Sequence, residues 1–184
     1  MEVRPLAIPD VKLIRPKRFG DHRGFFSETY NKKALESCGI FLDFVQDNHS
    51  YSAAKGTVRG FHYQLPPRAQ DKLVRVTRGS VLDVALDIRR SSPTFGRWVS
   101  VVLSAAEWNQ ILVPAGFAHC FVTLEPDTEV IYKVTDYWSP EHERGILWCD
   151  PELGIDWGVS AEEAVVSDKD KTWPRLSEQP DLFD

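Results

Sequence analysis

QDNHSYSAAKGTVRGFHYQLPPRAQDKLVRVTRGSVLDVALDIR, residues 46–89, decides how this chain is read. Its second half, KLVRVTRGSVLDVALDIR, alternates apolar, mostly β-branched residues with polar ones around Arg78-Gly79-Ser80. That is the pattern of two strands joined by a tight turn. Its first half places Asn48, His49, Arg59, His62 and Lys72 just ahead of this apolar run. Charged and polar residues leading into a core strand are the usual makings of a site mounted on a rigid scaffold.

Working outward, the strand pattern continues on both sides. FLDFVQDNHSYS and TVRGFHYQ alternate upstream, and WVSVVLS, QILVP, HCFVTL and EVIYKVTDYW follow. Each is near the usual strand length of about 5–6 residues. Gly, Pro, Asn, Asp and Ser separate them, which predicts an all-β sandwich or barrel. Residues 1–18 read as an extended arm carrying Pro5, Pro9 and Pro16, with a strand at 11–14. Gly20 and Gly24 bracket a turn, and Phe25, Phe26 and Tyr30 favour a strand after it. Residues 31–38 predict a short helix with Asn31 as its cap and Gly39 as its stop. A short helical turn is expected within 158–170, where Ser160 and Glu163 form a capping-box pattern. The polar tail beyond Trp173 reads as fraying. The expected organisation is one domain over residues 1–184: an arm over about 1–45, a barrel over about 46–157 and a C-terminal segment over about 158–184.

Composition narrows the function classes. A net charge of −5 over 184 residues gives no general nucleic-acid footprint, although a local cluster of Arg and Lys suits a small anion. The three cysteines, Cys38, Cys120 and Cys149, are far apart and form no CxxC, which argues for a reducing compartment rather than a disulfide framework. The N-terminal stretch is broken by three prolines and has neither an apolar core nor a cleavage site, so it is not a signal peptide. No apolar run approaches the roughly 18 residues of a membrane span. The expectation is a cytoplasmic protein with no membrane and no nucleic-acid partner.

Strand parity adds detail. Lys72 shares a face with Val74 and Val76, so it points into the barrel if they do. A lysine there is costly unless it is paired or meets a ligand. Tyr132 likewise shares parity with Val130 and Val134. Arg59 and His62 are three apart and would face opposite ways on a regular strand; Gly60 permits a bulge that brings both to one side.

Among possible chemistries, a metal comes first. LVPAGFAHCF carries a Pro114, Gly116, His119 spacing similar to the second half-motif of cupin barrels. A metal-binding cupin also needs two alternating histidines and a carboxylate, but here Gln64 follows His62 where the second histidine belongs. That donor set is poor for a transition metal, so none is expected. There is no GxSxG elbow, no GxGxxG and no Walker loop. What remains is His, Tyr, Lys and Arg inside a barrel, a set suited to proton transfer beside a carbonyl. A neutral His takes a proton from carbon, Lys stabilises the enolate oxygen, Tyr returns a proton, and an Asp steadies the imidazole.

FGDHRGFFSE (residues 19–28), QDNHSYS, KGTVRGFHYQLPP, QDKLVRVTRGSVLDVALDIRRSSPTFG, VPAGFAHCF, TEVIYKVTDYW, PEHERGILWCDP, LGIDW and SDKD together resemble the dTDP-4-dehydrorhamnose 3,5-epimerase family, in order, from about Phe19 to Pro174. The resemblance implies a cupin-type jelly-roll barrel with an N-terminal strand arm and short peripheral helices, working as a homodimer without cofactor. It implies inversion at C3 and C5 of dTDP-4-dehydro-6-deoxy-D-glucose, both flanking the C4 ketone, on the route to dTDP-L-rhamnose. By position, His62 is the base, Asp170 its partner, Tyr132 the acid, and Lys72 sits at the C4 oxygen. Gln46, Asp47, Asn48, Arg59, His119, Glu143 and Lys169 match substrate-binding positions. Arg23, Phe26 and Glu28 match the strand that the family lends to the partner subunit's site. Trp138 stands where an aromatic, often Tyr, stacks on thymine. Cys120 in place of Gly, Phe61 in place of Leu, and Trp138 itself depart from the usual pattern. His22 and His49 are read as structural. Two other readings are open: epimerisation at one carbon only, and a cupin that binds a nucleotide sugar without chemistry.

Overall fold

Residues 80–87 show why the chain layers as it does. Val81, Asp83, Ala85 and Asp87 point to one side of the strand and Leu82, Val84 and Leu86 to the other, and both sides are covered. The computed structural model describes residues 1–184 and is almost entirely strand. In chain order the elements are β1 (Glu2–Pro5), β2 (Lys12–Arg15), β3 (Arg18–Asp21), β4 (Gly24–Ser27), helix α1 (Lys32–Glu36), β5 (Gln46–Ser52), β6 (Thr57–Gln64), β7 (Lys72–Arg78), β8 (Ser80–Asp87), β9 (Trp98–Ser104), β10 (Gln110–Val113), β11 (Phe117–Thr123), β12 (Thr128–Val134), β13 (Glu143–Gly145) and β14 (Val165–Val166).

Two sheets face each other. One runs β1-β2-β10-β7-β12-β5; the other runs β13-β6-β11-β8-β9, with β14 joined in parallel to β6. Between them lies an apolar layer that includes Val74, Val76, Val81, Ile111, Phe121 and Val130. Lys72 shares the face of Val74 and Val76 as parity requires, and it is buried. β3 and β4 form a separate hairpin, on which Phe19, Phe25 and Phe26 are exposed. β1 is the edge strand of the first sheet and β2 pairs with both β1 and β10, so the first residues of the expected arm are integrated into the fold.

The bulge at Gly60 is present. His119 pairs with His62 and Phe121 with Arg59, so three residues of β6 span two of β11. Gly60 takes φ +130°, a conformation L side chains rarely adopt, and a Cβ there would lie 2.6 Å from Cys120 Cα. Val58 and Phe61 therefore both face the outer cluster, while Arg59 and His62 both face inward.

The helix forms as the caps predict: Asn31 Oδ1 accepts from the Ala34 N–H at 3.2 Å, and Gly39 turns the chain at φ +80°. Ser160 and Glu163 do make the reciprocal capping bonds, but they close a single turn and no helix follows. The tail corrects the expectation of fraying. Gln179 is buried and donates to the Gly145 carbonyl, Tyr63 donates to the Asp181 carbonyl at 2.5 Å, and Phe183 bridges to Arg89. Its few apolar side chains are enough to dock it on the outer face of the second sheet, beside Tyr63.

Candidate active site

Both sheets contribute side chains to a cavity of about 610 Å³, a size that holds a small organic ligand. From the first sheet, β5 supplies Gln46, Asn48 and Ser50, β7 supplies Lys72 and β12 supplies Tyr132. From the second, β6 supplies Arg59, His62 and Gln64, β11 supplies His119 and Phe121, and β13 supplies Glu143. Trp138 borders the opening, and the C-terminal segment adds Lys169 and Asp170. Residues 124 positions apart in the chain, Gln46 and Asp170, thus meet at one site.

Within it, His62 Nε2 stands 2.5 Å from Asp170 Oδ1. Burial pushes the Asp170 carboxyl up, but the hydrogen bond and charge of His62, with donors from Trp173 and Ser167, outweigh it and hold the group below its usual range. Asp170 is therefore a carboxylate at neutral pH, able to steady one imidazole tautomer and its protonated form. Lys72 Nζ donates to the His62 carbonyl at 3.1 Å, and burial lowers its pKa to about 8 against the pull of Glu143 and Asp83. Burial raises the Tyr132 phenol, with Arg59 opposing and Glu143 adding, so Tyr132 is a proton carrier at neutral pH.

His119 is held by both oxygens of Asp83, at 2.8 and 2.9 Å from its Nε2. Asp83 escaped the sequence reading. Its parity with Val81 and Ala85 on an apolar strand was the available signal, since a buried carboxylate needs a partner. Arg59 is steadied by donating to Ser52 Oγ and the Tyr51 carbonyl, at 3.2 and 3.0 Å, and it makes no ion pair. Lys72 makes none either, so two cations face the cavity without a carboxylate partner. That pairing suits an anionic ligand.

The opening is framed by polar contacts. Trp138 N–H donates to Gln46 Oε1 at 3.1 Å, Gln46 donates to Asn48 Oδ1 at 2.9 Å, and Lys169 pairs with Glu143 at 2.6 Å. Trp138 is 60% exposed, an aromatic surface open at the rim. Four of the expected residues are not brought here. Asp47 lies on the opposite face of β5 from Gln46 and Asn48, paired with Lys133 at 2.8 Å. Arg23, Phe26 and Glu28 stand on or beside the β3–β4 hairpin, outside the lining of their own chain's cavity; Arg23 pairs with Asp21, and Glu28 accepts from Asn31. His22 is exposed, and His49 pairs with Glu129 outside the cavity. No group of three or more His, Cys, Asp or Glu is placed to hold a metal ion.

The sequence profile of the dTDP-4-dehydrorhamnose 3,5-epimerase family matches residues 5–178. The chain belongs to this family. A dTDP-4-dehydrorhamnose 3,5-epimerase of Pseudomonas aeruginosa is 56% identical over 172 residues, covering 93% of each chain. The structure of a dTDP-6-deoxy-D-glucose-3,5-epimerase of Legionella pneumophila, in complex with dTDP-4-keto-L-rhamnose, matches with a TM-score of 0.91 at 46% identity, over 96% of this chain and 93% of that one. A 3′-monoepimerase of Streptomyces bikiniensis, in complex with dTDP-quinovose, matches with a TM-score of 0.87 at 32% identity, over 95% and 87%. The chain is thus an isomerase with the cupin-like jelly roll of the 3,5-epimerases, as the resemblance implied.

Proposed function

We propose that this family member inverts C3 and C5 of dTDP-4-dehydro-6-deoxy-D-glucose to give dTDP-4-dehydro-L-rhamnose, in dTDP-L-rhamnose formation for cell-surface polysaccharide. The observation that carries the reading is the placement of His62 and Tyr132 on opposing sheets across one cavity, with the buried Lys72 in the same lining. Inversion needs a proton removed from one face of a carbon and returned to the other. His62 on β6 takes the proton beside the C4 ketone, Lys72 stabilises the enolate oxygen, and Tyr132 on β12 delivers a proton from the opposite wall. Asp170 holds the imidazole and its charge. Once His62 has passed its proton to solvent and Tyr132 has regained one, the same step at the second carbon beside C4 completes the double inversion.

Arg59 and His119 serve the diphosphate and sugar, Trp138 stacks on thymine, and Gln46, Asn48, Glu143 and Lys169 order the nucleotide. Asp47 acts from the far face of β5, through its pairing with Lys133. Arg23, Phe26 and Glu28 complete the partner's site in a homodimer, which gives the exposed aromatic hairpin its use. The whole chain works as one domain. The mechanism calls for no cofactor, because acceptor, donor and enolate cation are all side chains. Three unpaired cysteines suit a cytoplasmic location.

Proton NMR in D₂O with dTDP-4-dehydro-6-deoxy-D-glucose tests the reading. Deuterium at C3 and C5 with an L-configured product supports it. Exchange at a single carbon points to the second reading, a monoepimerase, the activity of the similar Streptomyces bikiniensis protein. Binding of dTDP without exchange leaves a binding protein and overturns the mechanism.

A further inference from the structure

Three of the four groups in the proposed mechanism sit on strands: His62 on β6, Lys72 on β7 and Tyr132 on β12. The fourth, Asp170, sits in an irregular segment between β14 and the tail. A carboxylate on a loop is placed only as well as the contacts that hold that loop. Besides its backbone bonds and the Lys169–Glu143 pair, three side-chain contacts hold it. Ser167 Oγ accepts from the Asp170 N–H at 3.1 Å, Thr172 Oγ1 donates to the Lys169 carbonyl at 2.8 Å, and the Trp173 indole N–H donates to Asp170 Oδ1 at 3.2 Å.

The indole does two things at once. A Cβ on Gly145 would lie 2.5 Å from Trp173 Nε1, so the ring occupies the space that any side chain at 145 would need. Gly145 is the residue paired with His62 across β13 and β6. The ring therefore seats the Asp170 loop against the strand that lies beside the base. Its N–H, moreover, reaches the same carboxylate oxygen that faces His62 Nε2. Trp173 does not line the cavity.

We propose that Trp173, seated on Gly145, is a positioning residue for the His62–Asp170 pair. It fixes the carboxylate by donating to the oxygen shared with His62, and it reduces that oxygen's hold on a proton. The proton taken from carbon then stays on the imidazole. This inference rests on the reading of His62 as the base. Without the indole N–H the carboxylate is free to turn, and its undivided negative charge raises the proton affinity of His62.

The test is Trp173→Phe, which keeps a ring over Gly145 and removes the donor. Expected are a fall in kcat and in deuterium wash-in of roughly ten-fold, the scale of one hydrogen bond to a charged group, with KM and dTDP affinity unchanged. The acid limb of the kcat/KM profile should move up by about half a pH unit, a shift that loss of packing alone would not produce. In an Asp170→Asn background, Trp173→Phe should change the residual rate less than two-fold, because both residues act through one contact. Wild-type rates and an unmoved acid limb in Trp173→Phe overturn the inference while leaving the epimerase reading intact, and so does a full ten-fold loss in the Asp170→Asn background. No exchange by the wild-type protein overturns the underlying reading instead. If Trp173→Phe does not fold, the indole ¹⁵N–¹H signal of Trp173 in the wild-type protein decides. It should shift as the His62–Asp170 pair titrates, and a signal indifferent to that titration overturns the inference.

Discussion

Lys72 is the residue at which function and stability pull hardest against each other. It is buried, it makes no ion pair, and burial brings its pKa from 10.5 down to about 8. A drop of two to three units, at about 1.4 kcal/mol per unit, means the charged form costs the fold on the order of 3 kcal/mol. Lys72→Met keeps the length of the side chain and removes the charge. It also removes the 3.1 Å bond to the His62 carbonyl, a loss of about 1 kcal/mol. The variant should therefore be more stable than wild type by about 2 kcal/mol at pH 7, while turnover falls at least about 10²-fold with the enolate cation gone. The sign of the pH dependence follows. Below pH 8 the lysine is charged in both states and the penalty is complete. Between 8 and 10.5 the folded protein gives up the proton while the unfolded chain keeps it, so wild-type stability rises and the gap to Lys72→Met closes. Urea denaturation of both proteins from pH 6 to 10, at one protein concentration, measures this. A variant less stable than wild type at pH 7, or a gap that does not narrow above pH 8, refutes the reasoning.

The other predictions concern the proposed proton path, the bulge and the proposed exchange of the β3–β4 hairpin between subunits. His62→Ala should lower turnover by roughly 10²–10⁴-fold while calorimetric dTDP binding stays near wild type; unchanged turnover removes His62 as the base. Tyr132→Phe should still exchange deuterium into the substrate but yield little L-configured product by NMR, and a normal yield removes Tyr132 as the acid. Gly60→Ala places a Cβ 2.6 Å from Cys120 Cα at φ +130°, and should cost on the order of 3 kcal/mol. Thermal unfolding should show this as a midpoint lower by about 6–12 °C. Finally, inactive Arg23→Ala and His62→Ala chains, mixed and reassembled, should regain up to about a quarter of wild-type activity if each hairpin serves the partner's site. No recovery in verified mixed dimers counts against that arrangement.

Local physics made much of this legible in advance. A period of two fixes which face a residue takes, so Lys72 could be placed with Val74 and Val76, and Tyr132 with Val130 and Val134, before any coordinate. Arg59 and His62 needed one extra residue between them, and Gly60 was the only residue there that tolerates the backbone it adopts. The same rule explains Asp47, whose neighbours on both sides face the cavity and which therefore cannot. Asp83 was readable by this parity and was overlooked. The tail was not readable. Its docking depends on Gln179 meeting the Gly145 carbonyl and Tyr63 meeting the Asp181 carbonyl, contacts 34 and 118 residues apart that leave no local pattern. Trp173 is the same kind of case, because its partner surface is the absence of a side chain at Gly145.

The division between strand and loop has a chemical logic. In the proposed mechanism both carbons to be inverted flank one ketone, so one cation serves both enolates if it stays at the C4 oxygen. Lys72 is on β7, which is hydrogen-bonded on both sides by β10 and β12, and such a strand end moves little. The proposed base and acid stand on opposing walls, both on strands paired on each side: β6 lies between β11 and β13, and β12 between β5 and β7. With the three proposed reacting groups mounted on paired strands, one base and one acid reach two carbons if the sugar presents each in turn. The nucleotide end must then be anchored while the sugar end is free to reorient. The distribution of contacts agrees: the opening is laced by Gln46, Asn48, Trp138, Glu143 and Lys169, whereas Tyr132 and Lys72 make no side-chain to side-chain bonds that a turning ring would have to break. Only the His62–Asp170 contact must hold throughout, and it is the one contact among the four groups that joins strand to loop, which is why it needs the indole behind it.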